Sequence, residues 1–334
     1  MKPAERTANL TPYGKKPVDA SQVRMHMNEN QTNTGRAVTL NEKELSNYPD
    51  EGPLQNLTAD KWGIQQENLM LFNGASEAIM CAALALVNEN DPVVTVKPEF
   101  SLILHYLTLA GAKLIQVPMR NRNFQMKEIE ENAKKSRLVF ISVPHNPTGA
   151  TISKEKICSW CEAAPQTLFV IDEAYAGFAG STLLTCIQGR EADNLIVIRS
   201  FSKDMALAGV RLGAAAGPRW AIRAMGKVRT PFSINAAAVK AGMQAIRSEE
   251  ETRQAVEETK RLAKATEAAG LTTKTGKTNF FTITSQEAHG FAGFCEERGV
   301  LIRVMPDGTA RVSPADETGN QRYEKCLKEW SEGR

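Results

Sequence analysis

From residue 69 onward, short apolar runs rich in Val, Ile and Leu alternate with segments in which apolar residues recur every three or four positions. Runs of four to six such residues predict strands buried on both faces, and recurrence at helical spacing predicts helices with one face against them. On this pattern strands occupy 69–72, 93–96, 114–117, 138–143, 168–171, 195–198 and 212–217. A helix ending at 87 and others over 101–110, 127–135 and 153–163 fall between them. Such alternation implies a mainly parallel sheet covered by helices on both faces, because parallel neighbours need long crossovers. The run 212–217 follows its predecessor too closely for a helical crossover and is expected to be the odd strand.

Past residue 218 the pattern turns helical, over 218–228, 235–248 and 249–269. Short strands at 280–284, 300–304 and 310–312 follow, with helices over 288–298 and 318–330. The expected fold is therefore α/β: an arm over 1–40, a large domain with the sheet over 41–235, and a smaller α+β domain over 236–334. Pro12, Gly14 and Pro17 make the start of the arm extended.

Composition adds exclusions. Of 334 residues, 42% are hydrophobic and 24% charged, ordinary values for a globular chain long enough for about two domains. The formal charge of +3 is spread along the chain, which implies neither a nucleic-acid nor a membrane patch. No stretch nears the length of a membrane span, residues 1–16 lack the apolar centre of a signal peptide, and six cysteines form no dense framework. A cytoplasmic protein is expected. Cys158 and Cys161 have redox spacing but fall within a predicted helix and have no second pair to complete a zinc site.

The chemistry concentrates after the strand at 195–198, in Ser200-Phe201-Ser202-Lys203 and Gly209-Val210-Arg211-Leu212-Gly213. Lysine attacks a carbonyl only as the neutral amine, and desolvation with a cation such as Arg211 nearby lowers its pKa toward that form. Ser200, Ser202 and Arg211 could meanwhile hold a phosphate, so the spot suits an anionic, aldehyde-bearing cofactor. A solvated loop lysine is the alternative. Asn73-Gly74-Ala75-Ser76 opens a helix whose free amides, at Ala75 and Ser76, can also cradle phosphate. Asp172 ends another strand, where it either caps a turn or faces the ligand. All these residues follow strands, the place where open α/β sheets bind ligands.

These segments resemble fold-type I pyridoxal-phosphate enzymes, in the class I/II aminotransferase branch that includes the histidinol-phosphate aminotransferase group. Further resemblance lies in Asn28-Glu29-Asn30, Asn47-Tyr48-Pro49, Asn146-Pro147-Thr148-Gly149 and Asp172-Glu173-Ala174-Tyr175. It implies that Lys203 carries pyridoxal phosphate as a Schiff base and that Asp172 pairs with the ring nitrogen. It further implies that Asn146 and Tyr175 share the 3′-oxygen, that Phe100 stacks on the ring, and that Tyr48 reaches the cofactor phosphate of a partner subunit in a homodimer. Arg311 would fork onto the substrate carboxylate; Arg303 and Tyr13 would contact substrate phosphate, although Tyr13 serves equally as an anchor for the arm. The resemblance also makes Asn30 a further substrate contact. The chain departs from that group at Gln31 in place of proline, Phe100 in place of tyrosine, and Pro314 in place of glycine.

The implied activity is transfer of an amino group between glutamate or 2-oxoglutarate and a small, possibly phosphorylated, amine or amino acid. A decarboxylase of the same family acting on a phosphorylated amino acid is the alternative. Two rivals are weaker. The Ser200–Lys203, Ser233–Asn235 and Lys274–Gly276 segments echo the motifs of penicillin-binding proteins at intervals too short for that fold, and Gly270 with Gly276-Lys277-Thr278 misses the P-loop spacing by one residue.

Overall fold

A computed structural model describes residues 5–8, 10–12, 18–31, 36–188, 193–246 and 251–333. The described arm contributes one short strand, β1 (Val23–Arg24). The large sheet follows, with β2 (Leu69–Phe72), β3 (Pro92–Lys97), β4 (Lys113–Pro118), β5 (Leu138–Ser142), β6 (Leu168–Asp172), β7 (Leu195–Ser200) and β8 (Gly213–Ala216). Its order is β2-β8-β7-β6-β5-β3-β4, and β8 alone runs antiparallel to its neighbours. The odd strand is therefore the one expected from its short connection.

The central strands are apolar up to the polar residues that end them, Ser142, Asp172 and Arg199-Ser200, because both faces are covered. Val139, Ile141, Phe169, Ile171 and Val197 enter the core on one face; Leu138, Phe140, Val170, Ile196 and Ile198 enter the core on the other. This is the two-residue period of a strand. β8 reads Gly-Ala-Ala-Ala because the helix Gly74–Leu86 passes close over it. A Cβ on Gly213 would come within 2.5 Å of the Ala75 amide nitrogen, so a larger residue would push that helix off the sheet.

A second core forms around β9 (Thr273–Thr275), β10 (Phe281–Ile283), β11 (Val300–Leu301), β12 (Arg303–Val304) and β13 (Ala310–Val312). Four of these make an antiparallel sheet in the order β12-β13-β10-β9, with Leu262, Phe281, Phe291 and Tyr323 buried against it. The single strand expected over 300–304 is two. Val300 and Leu301 are buried and pair in parallel with β1, whereas Arg303 and Val304 are exposed and pair with β13. Four apolar residues in five, interrupted only at Arg303, concealed the hand-over from the arm to the sheet. β9 escaped the pattern because an edge strand spelled Thr-Lys-Thr carries no apolar period.

The helix Ala236–Ala245 packs with the large sheet, its Ala238, Ala241 and Ala245 buried in the same core as Leu54. The second core starts with the helix Glu251–Ala268. The two bodies touch next to the Asn-Pro-Thr-Gly turn, where Lys277 N–H donates to the Gly149 carbonyl at 3.2 Å and Arg122 Nη2 donates to Thr282 Oγ1 at 2.9 Å. Among the described residues no helix is long and apolar enough to cross a membrane.

Candidate active site

The site is built where the parallel strands end. After β7, Ser202 N–H donates to Ser200 Oγ at 3.2 Å, and Arg211 Nη1 donates to Ser202 Oγ at 3.2 Å and to the Ala208 carbonyl at 3.1 Å. Ala206 (φ 53) and Arg211 (φ 60) are both left-handed, a conformation that costs a residue with a side chain about 1–3 kcal/mol and persists only where surrounding structure imposes it. Arg211 faces the first turn of the helix Gly74–Leu86, and a Cβ on Gly74 (φ 75) would lie 2.6 Å from its Nη2. With no Cβ at Gly74 or Gly213, the guanidinium, the Ser202 hydroxyl and the amides at Ala75 and Ser76 can surround one small concavity. An anion is stabilised there by the helix end and the fixed cation together.

Lys203 as a residue is half-buried, but its amine is enclosed and donates to the carbonyls of Met27 at 2.9 Å and Asn28 at 3.0 Å. Burial lowers its pKa to about 7, helped by the charges of Arg311 and Arg211 and opposed by Glu29 and Asp172. Asp172 ends β6; burial raises it to about 6, against the pull of the Ala174 N–H at 3.0 Å. The Tyr175 ring centroid lies 5.9 Å from the Lys203 amine, and its hydroxyl accepts from Asn28 Nδ2 at 2.8 Å. Arg311, on β13, donates through Nη1 to Asn146 Oδ1 at 2.6 Å and through Nη2 to the His26 carbonyl at 3.0 Å. Large sheet, small sheet and arm therefore meet at one amine.

Beneath these groups is a layer that sequence reasoning missed. Buried Glu99 accepts from Ser142 Oγ at 2.6 Å, Ser142 N–H at 3.1 Å and Phe100 N–H at 2.7 Å, and burial pushes it up to about 8. His145 Nε2 lies 3.0 Å from the Pro98 carbonyl, which can only accept, so that nitrogen carries the proton and Nδ1 accepts from Thr148 Oγ1 at 2.8 Å. Burial holds this ring neutral, with its pKa lowered to about 4.

Of the other expected residues, half-buried Phe100 precedes the helix Ser101–Leu109, and Asn30 is buried on the arm. Arg303 is the direct cross-strand partner of Arg311 but is exposed. Tyr48 is 74% exposed and stacks on Phe232 with ring centroids 4.0 Å apart, rather than on a residue of this pocket. Tyr13 lies outside the described residues. Two asparagines were missed: Asn28, two positions before Asn30 in the same motif, and Asn279, whose Nδ2 donates to the Asn28 carbonyl at 3.2 Å. Their Oδ1 atoms are buried with no hydrogen-bond partner among the described residues. Phosphate cradle, enclosed amine, strand-end carboxylate and pocket-side phenol make a donor set that fits pyridoxal phosphate.

A family described as aminotransferase class I and II matches residues 20–318. The chain belongs to this family. It is 32% identical over 301 residues to an aromatic amino acid aminotransferase of Corynebacterium glutamicum strain R, covering 88% of this chain and 87% of that relative. With a histidinol-phosphate aminotransferase of Maricaulis maris strain MCS10 it shares 30% identity over 359 residues, covering 98% of each. The crystal structure of histidinol-phosphate aminotransferase from Sinorhizobium meliloti in complex with pyridoxal-5′-phosphate has the same fold, with a TM-score of 0.81 at 21% identity over 93% of this chain and 91% of that one. The chain is thus an aminotransferase-class enzyme of fold type I.

The lysine assignment has a consequence for stability. Lys203 has a pKa of about 7 folded against 10.5 for a free lysine, so between those values the unfolded chain binds more protons and this group's contribution to stability rises with pH. Lys203→Met removes the dependence. The cofactor-free variant should melt above the wild type at pH 7, with the gap narrowing toward about pH 10; a gap that is constant or widens contradicts burial of the amine.

Proposed function

We propose that the chain holds pyridoxal phosphate at Lys203 and transfers an amino group between glutamate or 2-oxoglutarate and a small phosphorylated amine of the histidinol-phosphate type. It would act in the cytoplasm as a homodimer. The observation that carries this reading is the enclosed Lys203 amine, near neutrality, next to the hydrogen-bonded pair Asn146 and Arg311.

Bound at this site, pyridoxal phosphate supplies an aldehyde for Schiff-base exchange and a ring that accepts the electron pair left at the substrate Cα. The chain's own groups do the rest. Ser202, Arg211 and the amides at Ala75 and Ser76 bind the phosphate, with Ser200 supporting Ser202 from below. Asp172, the carboxylate at the end of β6, keeps a proton on the ring nitrogen, and Asn146 and Tyr175 hold the ring oxygen. Phe100 packs against the ring. Once an incoming amine has freed it, Lys203 Nζ takes the proton from Cα, and a pKa of about 7 suits it both to accept that proton and to return it.

Arg311 fixes the substrate carboxylate near the plane of the ring, leaving the Cα–H bond perpendicular to it and favouring proton loss over loss of carbon dioxide. Its Nη atoms already reach toward Asn146 and His26, so the fork needs little rearrangement to receive a carboxylate. Arg303, on the neighbouring strand directly across from Arg311, supplies a second, exposed cation for a distal anion. This favours a phosphorylated amine over a neutral aromatic amino acid. Asn30 and Tyr13, on the arm, are further substrate contacts in this reading.

A spectroscopic screen of the holoenzyme tests the reaction and the substrate together. Glutamate should convert the visible band of the lysine-bound cofactor to the amine form, and imidazole-acetol phosphate should restore it faster than phenylpyruvate. Carbon dioxide release from an amino acid without any such half-reaction would replace the transferase by a decarboxylase.

Exposed Leu45 (71%), Tyr48 (74%) and Phe232 (67%) support the homodimer, since each leaves apolar surface in water and the last two stack on one another. In this arrangement Tyr48 serves the phosphate site of the partner subunit. Sedimentation at working concentration should give a dimer; a fully active monomer contradicts shared sites.

A further inference from the structure

On the described part of the arm, Asn28 touches both the amine and the phenol of the pocket. It is 1% exposed and left-handed (φ 53), a conformation that asparagine tolerates better than most residues. That turn aims its carbonyl at Lys203 Nζ, 3.0 Å away, and the same carbonyl accepts from Asn279 Nδ2 at 3.2 Å. Its side chain donates from Nδ2 to Tyr175 Oη at 2.8 Å.

We infer that Asn28 is a positioning residue that sets the direction of the Tyr175 hydroxyl proton. An amide Nδ2 can only donate, so the phenol oxygen accepts there and its own O–H is directed away from Asn28. A phenol that accepts one hydrogen bond is a stronger donor in the next. Resting on the proposed function, the inference makes Tyr175 a better donor to the ring oxygen of the cofactor, which favours the anionic form of that oxygen. The visible band of the loaded enzyme then titrates at a lower pH than it would without Asn28. Asn279 acts one step further back, bracing the Asn28 carbonyl from the small-sheet side.

The test is a pH titration of that band in purified holoenzyme. Asn28→Gly keeps the left-handed backbone and both carbonyls on Lys203 and removes only the amide donor. Its midpoint should rise by up to about one pH unit, the size of one neutral hydrogen bond. Asn28→Asp, which offers the phenol an acceptor, should raise it further and serves as the second variant should the glycine chain fold poorly. The charged groups around the amine, Arg211, Arg311, Glu29 and Asp172, stay in place in both variants. In a Tyr175→Phe background Asn28→Gly should cause no further shift, because Asn28 acts through the phenol. An unshifted midpoint in Asn28→Gly and Asn28→Asp, or a shift of equal size in the Tyr175→Phe background, overturns the inference. Failure of the underlying functional reading looks different: the wild-type chain itself would develop no visible band with added pyridoxal phosphate.

Discussion

Burying the Lys203 amine away from water, with Arg311 and Arg211 as neighbouring charges, disfavours its ammonium form and brings its pKa to about 7, even though the carbonyls of Met27 and Asn28 accept from it. The surrounding architecture serves that condition. A sheet covered on both faces gives the amine depth, β7 delivers it at the strand end, and the arm closes over it with the carbonyls of Met27 and Asn28. The same two arginines that lower the amine's proton affinity are placed for anions, Arg211 at the helix end and Arg311 beside Asn146. In the proposed function, one set of charges would thus both lower the proton affinity of the amine and bind the ligand.

The carboxyl groups beneath the amine divide their protons. Both Glu99 and Asp172 are buried and pushed upward, to about 8 and about 6, so Asp172 ionises first as the pH rises. Pairs of titratable groups with separated proton affinities mark sites organised for acid and base chemistry. Ser142 links this layer to the upper one: its hydroxyl donates to Glu99 and accepts from the Asn146 amide at 3.3 Å, and Ser142 stands beside Asp172 in the sheet. The Asn-Pro-Thr-Gly turn is therefore braced from below by Glu99 and from the side by His145 on Thr148.

The large sheet was legible because its strands are mainly apolar runs bounded by helical periods, and a residue at or after the end of such a strand has only one edge to occupy. Lys203, Asp172 and Asn146 are all of this kind. What could not be read arises from contacts distant in sequence. Asn28 and Tyr175 are 147 residues apart, Asn279 lies 251 from Asn28, and no local pattern announces either contact. Glu99 reads as a loop carboxylate until β5 is laid beside β3. The break between β11 and β12 was hidden for the same reason, since its cause is pairing with the arm, and Tyr48 can be placed in a site only by way of a second subunit.

The central claim is that one lysine, Lys203, carries the cofactor. Borohydride reduction of the holoenzyme, followed by digestion and mass spectrometry of the peptides, reads this directly. The account predicts a pyridoxyl group on Lys203 and on no other lysine. A label on a different lysine, or a protein that takes up pyridoxal phosphate yet yields no reduced adduct, would contradict it.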